Sequence, residues 1–162
     1  MNAIFAGSFD PFTTEHKYIA ETACEEFDKV YIVIAVNSKK NKDNTGMFTV
    51  AERIKIAELS CPFKNAKVMA TTRLIVDLAK DLKVQRLVRG LRHTTEYEYE
   101  LRIATGNLLI GGIKTIGVFP RTTSISSSDV RELINFKDTR WTPYVDPAAV
   151  DYINTIIKER LS

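Results

Sequence analysis

The sequence predicts an α/β fold built on a parallel, five-stranded, Rossmann-like sheet with helices on both faces. Short, mainly apolar runs alternate along the 162-residue chain with longer segments of helical periodicity. This alternation is typical of parallel strands joined by helices, with a ligand at the carboxyl ends of the strands. The length suits one domain and no repeat interrupts it, so we expect a single domain over residues 1–162.

In the first half of the chain, the apolar run around Ile4 predicts the first strand, and a helical pattern begins near Thr14. A longer apolar run predicts a second buried strand. The stretch after it is rich in Ser, Lys, Asn and Asp, which is typical of a solvated loop. The elements expected here are strands 4–6, 30–36 and 66–70, the loop 37–46, and helices near 14–27, 50–61 and 73–83.

In the second half, one apolar run ends at Val88, just before an Arg-Gly pair, and another ends at Pro120. Three serines then open a helix whose apolar positions include Val130 and Ile134. A composition break at 137–147 leads into the last helix. The elements expected here are strands 86–88 and 115–119 and helices near 95–110, 127–136 and 147–160.

Charge and cysteine content narrow the functional class. The net charge is only +3, and Lys and Arg residues are scattered apart from Lys39, Lys40 and Lys42, so no nucleic-acid surface is indicated. Small anionic ligands fit this composition better. The chain has two cysteines, Cys24 and Cys61, and no apolar leader or membrane segment. We therefore expect a reduced, cytoplasmic protein that binds neither nucleic acid nor membranes.

Two similar strand–turn–helix units lie far apart in the sequence. In the first, Gly7-Ser8-Phe9-Asp10-Pro11 follows a strand and His16 lies in the next helix; in the second, Ile125-Ser126-Ser127-Ser128 opens a helix. In such a unit, backbone N–H groups and the positive end of the helix dipole face one crevice, which suits a phosphate. Two helix starts of this kind predict one nucleotide held between them.

Several motifs in register carry a family resemblance. They are Gly-x-Phe-Asp-Pro-x-Thr-x-x-His, Ile-Ser-Ser-Ser-x-Val-Arg, Val88-Arg89-Gly90-Leu91-Arg92 and Tyr97-Glu98-Tyr99-Glu100. The first two resemble the HxGH nucleotidylyltransferase superfamily, and the whole set is similar to its bacterial phosphopantetheine adenylyltransferase family. The resemblance implies transfer of adenylyl from ATP to 4′-phosphopantetheine in coenzyme A biosynthesis, giving dephospho-coenzyme A and pyrophosphate. It also implies Mg²⁺ held by the ATP phosphates, no metal ligand from the protein, and a homohexamer.

The resemblance further implies roles for individual residues. His16 would donate to the α-phosphate and stabilise the transition state, and Ser8 with the backbone of Phe9 would contact both substrates. Arg89 would meet the phosphate of phosphopantetheine, whereas Arg92 would act on the phosphates of ATP.

Other contacts implied by the resemblance are less specific. Ile75 would contact the pantetheine arm through its backbone, and Glu100 would hydrogen-bond the adenosine portion. The remaining nucleotide contacts are expected from Gly90, Leu91, Thr122, Thr123, Ser124, Ile125, Ser126, Ser127 and Ser128.

The family also carries a lysine shortly after the second strand, which bridges the phosphates of both substrates. The loop is longer here than in the family pattern, so the position can be counted in different ways. Counting forward from the strand gives Lys40, which we assign as the catalytic and phosphate-binding lysine. Matching the Ser-Lys-Lys string gives Lys39 instead, and Lys42 is a third alternative.

One position departs from the family pattern, because Glu15 stands where the family has the glycine before the histidine. A carboxylate facing the triphosphate would cost about 1–4 kcal/mol at about 4 Å, depending on the effective dielectric. A carboxylate turned outward would be favoured at a helix N-terminus by roughly 0.3–1 kcal/mol. We favour the outward orientation because the other site residues are all retained.

Two alternatives to the adenylyl transfer stay open at this stage. A related nucleotidyltransferase would use another acceptor, such as nicotinate mononucleotide or glycerol phosphate. A divergent relative disabled by Glu15 would bind a nucleotide or coenzyme A without efficient catalysis.

Overall fold

The computed structural model describes residues 1–36, 46–122 and 125–161. Five parallel strands form one sheet: β1 (Asn2–Gly7), β2 (Lys29–Ala35), β3 (Ala66–Thr71), β4 (Arg86–Gly90) and β5 (Lys114–Val118). Its helices are α1 (Thr14–Glu26), α2 (Val50–Ser60), α3 (Ile75–Asp81), α4 (Thr94–Gly111), α5 (Ser127–Asn135) and α6 (Pro147–Leu161), and a 3-10 helix spans Thr139–Tyr144. The predicted fold class is confirmed.

The order of the strands creates the crevice in which a ligand would bind. The sheet runs β3-β2-β1-β4-β5, so the chain first builds outward from β1 on one side and then crosses to the other side through β4. Parallel sheets bind ligands where the strand order reverses, outside the carboxyl ends of the strands. Here those ends are Gly7 on β1 and Gly90 on β4.

Apolar side chains pack against both faces of the sheet. Successive residues of a strand point to opposite faces, and Ile4 and Phe5 accordingly belong to two separate clusters. The cluster containing Phe5 is the larger and includes residues of α1, α2, α5 and α6. The cluster containing Ile4 includes residues of α3 and Ile113.

The starts of three helices are fixed by capping boxes. Thr49 and Glu52 cap α2, and Ser126 and Asp129 cap α5. At α1 the N-cap is Thr13, and the residue three positions later that returns a side-chain contact is His16. These caps set the direction of the N–H groups at the helix starts that face the crevice.

Asp10 joins the loop after β1 to the start of α2. Its carboxylate accepts hydrogen bonds from the backbone N–H groups of Phe48 (2.9 Å) and Met47 (3.0 Å), and it lies 3.3 Å from Nε of Arg53. Arg53 also donates to the carbonyl of Phe48 at 2.8 Å. Both charged side chains are buried, so this network positions the loop that carries Ser8.

The helices and strands of the structure differ little from those predicted from the sequence. The stretch 137–147 contains the 3-10 helix, whose N-cap Asp138 accepts from the backbone of Arg140.

Burial raises the pKa of the Cys24 thiol to about 11 and that of the Cys61 thiol to about 12, and both cysteines are free. Among the described helices, none combines the length and apolar character needed to cross a bilayer.

We predict that Asp10→Ala lowers the free energy of unfolding by about 3–5 kcal/mol, because it removes the carboxylate from buried Arg53 and the acceptor from two backbone N–H groups. Asp10→Asn retains an acceptor oxygen and should cost less, about 1–3 kcal/mol. Urea denaturation measures both effects.

The matched control is Asp28→Ala, which removes an exposed carboxylate paired with the N-terminal amine. An exposed ion pair contributes little, so this variant should stay within about 1 kcal/mol of the wild type. Equal destabilisation by the two alanine variants would contradict the anchoring role of Asp10.

Candidate active site

A cavity of about 330 Å³ occupies the crevice at the ends of β1 and β4. Side chains and backbone from the β1–α1 loop, the end of β4, the start of α4 and the start of α5 line it. Among its lining residues are Ser8, Phe9, His16, Arg89, Gly90, Arg92, Glu100, Ser126, Ser127 and Ser128. Residues distant in the sequence therefore meet around one space, as the two strand–turn–helix units predict.

The ring of His16 is held in one tautomer by the start of its own helix. Its Nδ1 accepts a hydrogen bond from the backbone N–H of Thr13 at 3.0 Å. An imidazole nitrogen that accepts cannot carry the proton of the neutral ring, so the proton lies on Nε2. Desolvation by burial, followed by the charges of Arg92 and Arg89, lowers the pKa of His16 to about 3. His16 is therefore a neutral donor at physiological pH.

Three phenylalanines support the His16 ring. Ring centroids of Phe9, Phe12 and Phe5 lie 5.0, 5.3 and 6.3 Å from its centroid, at inclined angles. Phe9 adopts a left-handed backbone conformation, with φ of 46°, which is uncommon for a residue with a side chain. Phe9 as a whole is buried, and its ring packs on that of His16.

Arg89 is fixed at the floor of the cavity by a bidentate ion pair. Its Nε and Nη2 donate to the two carboxylate oxygens of Glu100, at 2.8 and 2.6 Å. Its Nη1 donates to the carbonyl of Ala6 near the end of β1, at 2.9 Å. Because a guanidinium has five N–H groups, two remain for an oxyanion in the cavity. Glu100, expected to contact adenosine, thus contacts Arg89 through both oxygens.

Two further arginines approach the cavity. Arg92 lies 3.7 Å from Glu96, one turn along the start of α4. Arg131, which sequence reasoning did not assign to the site, donates to the carbonyl of Asp10 at 2.7 Å and to the hydroxyl of Ser128 at 3.1 Å. Its position in the first turns of α5, after the three serines, is the sequence signal that points to the crevice.

The hydroxyl groups of the three serines at α5 make contacts within the protein. Ser126 donates to Asp129 at 2.7 Å, and Ser127 donates to the carbonyl of Pro11 at 2.8 Å. Ser128 accepts from Arg131. The N–H of Asp129 donates to the Ser126 hydroxyl, so the backbone N–H groups of Ser127 and Ser128 are the donors that α5 offers to a phosphate.

The expectation that Glu15 turns outward to solvent is wrong. Its side chain is only 8% exposed, and its carboxylate accepts from the backbone N–H of Arg121 at 3.0 Å and from Nη2 of Arg121 at 3.2 Å. The physical reason is the partner: an arginine just after β5 neutralises the carboxylate, which allows it to be buried. The Glu15 carboxylate is therefore neither an unpaired charge that repels a triphosphate nor a charge exposed to solvent.

A second, apolar cavity of about 230 Å³ lies on the other side of Arg89. Ile75 lines it, at the start of α3, together with Leu74, Ile103 and Ile110. Ala6 and Arg89 line both this cavity and the polar one. A ligand that joins an anionic group to an apolar arm could therefore fill both spaces, with the anion at Arg89.

The other residues predicted for the site lie outside the polar cavity. Leu91 packs against β5, where its backbone N–H donates to Val118 at 3.0 Å. Thr122 and Ile125 line a neighbouring cavity of about 360 Å³, beside Glu15. Lys39, Lys40, Lys42, Thr123 and Ser124 lie outside the described residues.

Tyr99 and Glu96 also line the polar cavity, although sequence reasoning did not assign them to the site. Both lie on the first turns of α4. Tyr99 belongs to the Tyr-Glu-Tyr-Glu motif quoted for the family resemblance, so that motif was the available signal. For Glu96, the sequence offered no signal besides its spacing of four residues after Arg92.

Comparison with solved structures supports the fold. The crystal structure of a protein assigned as a nicotinate-nucleotide adenylyltransferase from Vibrio parahaemolyticus superimposes with a TM-score of 0.70, covering 98% of this chain and 95% of that one. The sequence identity is 15%, so this similarity concerns the fold alone.

Comparison of sequences identifies the family. The sequence model of the cytidylyltransferase-like family matches residues 4–133. The phosphopantetheine adenylyltransferase of Streptococcus agalactiae serotype Ia is 38% identical over 97% of this chain and 98% of its own length. That of Phocaeicola vulgatus is 40% identical over 88% of this chain and 93% of its own length. The chain therefore belongs to the phosphopantetheine adenylyltransferase family of cytidylyltransferase-like proteins.

Proposed function

We propose that this protein transfers the adenylyl group of ATP to 4′-phosphopantetheine, giving dephospho-coenzyme A and pyrophosphate. The observation that carries the proposal is the position of Arg89 between a polar cavity and an apolar one. The polar cavity, with two helix starts at its rim, suits the phosphates of ATP. The apolar cavity suits the pantetheine arm, whose terminal phosphate would then meet Arg89.

The apolar cavity also argues against the other acceptors. Glycerol phosphate has no arm to fill the space lined by Ile75, Leu74, Ile103 and Ile110. Nicotinate mononucleotide carries a ring carboxylate, and burying an unpaired carboxylate among aliphatic side chains is costly. Phosphopantetheine is the acceptor whose chemistry matches both cavities.

The proposed reaction needs charge neutralisation more than it needs a base. An oxygen of the acceptor phosphate attacks the α-phosphorus of ATP, and the bond from that phosphorus to the bridging oxygen breaks as pyrophosphate leaves. The acceptor is mostly dianionic at neutral pH and is already nucleophilic. His16 donates from Nε2 to the α-phosphate, while Arg89 and Arg92 hold the two anions together.

Magnesium is proposed to arrive on the phosphates of ATP and to need no dedicated protein site. Across residues 1–36, 46–122 and 125–161, no three His, Cys, Asp or Glu side chains are grouped so as to hold a metal ion. The acids that line the cavity have arginine partners: Glu15 with Arg121, Glu96 with Arg92 and Glu100 with Arg89. Phosphate-bound Mg²⁺ would neutralise part of the triphosphate charge.

The uncovered face of α4 supports a proposed homohexamer. None of the 18 residues of α4 is buried within the chain. Leu109 and Ile110 are 80% and 76% exposed, and Phe119 beyond β5 is 77% exposed. Several exposed apolar side chains on one helix are typical of a contact between subunits. Further copies of the chain would cover it.

The proposed setting is the cytoplasm, as one domain over residues 1–162 acting in coenzyme A biosynthesis. Its partners would be ATP, 4′-phosphopantetheine, dephospho-coenzyme A and coenzyme A. The raised pKa values of Cys24 and Cys61 disfavour the reactive thiolate form, so neither cysteine is assigned a role in the chemistry.

The proposed activity predicts pyrophosphate release from ATP only when 4′-phosphopantetheine is present. Nicotinate mononucleotide and glycerol phosphate serve as control acceptors, and mass spectrometry identifies dephospho-coenzyme A. Turnover with a control acceptor but not with phosphopantetheine would reject the substrate assignment. Binding of ATP without turnover on any acceptor would favour the non-catalytic alternative.

Replacing His16 by Ala should lower kcat by ~10²–10³. The variant lacks a donor to the α-phosphate, and that donor contributes mainly in the transition state, where negative charge develops. The KM of the acceptor should change little. Steady-state kinetics measures both constants, and an unaltered kcat would remove His16 from the proposed chemistry.

Replacing Arg89 and replacing Arg92 should affect different substrates. Arg89→Ala should mainly raise the KM of phosphopantetheine, since it removes a fork of donors at the boundary of the two cavities. Arg92→Ala should mainly affect the ATP step. The control is Arg73→Ala, which removes an exposed arginine paired with Asp81 and should alter neither constant. Equal effects of Arg89→Ala and Arg92→Ala on both substrates would contradict the assignment.

The proposed assembly predicts a hexamer in sedimentation velocity. Leu109→Glu should shift it to smaller species, because a buried, unpaired carboxylate at a subunit contact is costly. A wild type that sediments as a monomer at micromolar concentration would contradict the hexamer.

A further inference from the structure

The buried side chain of Glu15 contacts Arg121 and so joins two elements that are far apart in the sequence. The carboxylate accepts from both the backbone N–H and Nη2 of Arg121, at 3.0 and 3.2 Å. The Glu15 side chain is 8% exposed, whereas that of Arg121 is 56% exposed. The contact therefore joins α1 to the segment that follows β5, and its backbone part is independent of the arginine side chain.

Arg121 makes a second contact with the same helix. Its guanidinium lies over the ring of Tyr18, 5.1 Å from the ring centroid. Tyr18 lies three residues after Glu15 and so is on the same side of α1, about one turn away. The start of the segment after β5 is thus held on α1 at two points.

This contact forms part of the wall between two cavities. Glu15 lines the polar cavity of about 330 Å³ that also contains His16. With Arg121 it also lines the neighbouring cavity of about 360 Å³, together with Thr14, Thr122, Ile125, Pro143 and Tyr144. Displacing Arg121 would release Glu15, which lines both spaces.

We propose that Glu15 is a positioning residue for ATP, which acts by holding Arg121 against α1 and so fixing the wall between the two cavities. The inference rests on the proposed function for the identity of its ligand. A glutamate that replaces a glycine beside a triphosphate is expected to weaken ATP binding, whereas we propose that Glu15 strengthens it. The carboxylate is paired, and what it contributes is the placement of a backbone segment.

Removing the carboxylate has two opposite effects on ATP affinity, and the larger effect decides whether ATP binds more tightly or more weakly. Glu15→Ala deletes a negative charge near the phosphates, which favours ATP. The same change removes the charged acceptor from a backbone N–H and releases the segment at Arg121, which disfavours ATP. The second effect should be larger, because the lost contact lies in the wall that the two cavities share, whereas the guanidinium left behind is more than half exposed and its charge is screened by solvent.

The test is calorimetric titration of ATP into the wild type, Glu15→Ala, Glu15→Gln and the control Glu21→Ala, without acceptor. Glu21 is an exposed glutamate on the same helix. Glu15→Ala should weaken ATP about 5–20-fold, whereas Glu15→Gln, which keeps an oxygen for the Arg121 N–H, should stay within about 3-fold of the wild type. Glu21→Ala should leave the affinity unchanged.

A positioning role also predicts a split that a general loss of folding would not produce. Glu15→Ala should raise the KM of ATP and leave the KM of phosphopantetheine unchanged. Arg121→Ala leaves the carboxylate uncompensated, so its loss of ATP affinity should shrink as salt is raised. The double variant should bind ATP no more weakly than Glu15→Ala alone, since both changes break one contact.

Several results would overturn the proposal. They are tighter or unchanged ATP binding by Glu15→Ala, failure of Glu15→Gln to restore affinity, additive losses in the double variant, and a wild type that binds no ATP. A wild type that binds ATP but releases no pyrophosphate with phosphopantetheine would reject the proposed function and leave the positioning role of Glu15 intact.

Discussion

The hydrogen bond from the backbone N–H of Thr13 to Nδ1 of His16 connects the folding of the first helix to the chemistry of the site. It completes the cap of α1 and, in the same contact, places the ring proton on Nε2. The phenylalanines around the ring and the arginines across the cavity then hold the imidazole neutral. The helix cap and the tautomer of the His16 ring thus depend on the same contact.

Electrostatic balance is the second constraint on the cavity. A site that brings together two anions needs positive charge, yet unpaired arginines in a crevice would repel one another and pay for desolvation. The structure resolves this by giving Arg89, Arg92 and Arg121 an acidic partner each. Arg89 still has donors to spare, so its ion pair with Glu100 fixes the direction of the guanidinium without using it up.

Most of the fold was predictable from the sequence because its strands are mainly apolar and three of its helix starts carry capping boxes. The crevice was predictable for the same reason, since strand ends such as Gly7 and Gly90 must meet in a parallel sheet. The orientation of Glu15 was not predictable, because its partner Arg121 is 106 residues away in the chain and no local pattern couples them. The contact of Glu100 with Arg89 likewise depends on how α4 packs against β4, which periodicity does not specify.

The proposed mechanism depends on a neutral His16 ring with its proton on Nε2, and ¹⁵N NMR of histidine-labelled protein tests this state most directly. The chain has two histidines, so His93→Gln leaves a single ring to observe. With its pKa lowered to about 3, His16 should keep a protonated Nε2 and an unprotonated Nδ1 throughout pH 5–8. A ring that gains a second proton with a midpoint near its ordinary pKa of about 6.5, or that carries its proton on Nδ1, would contradict this account.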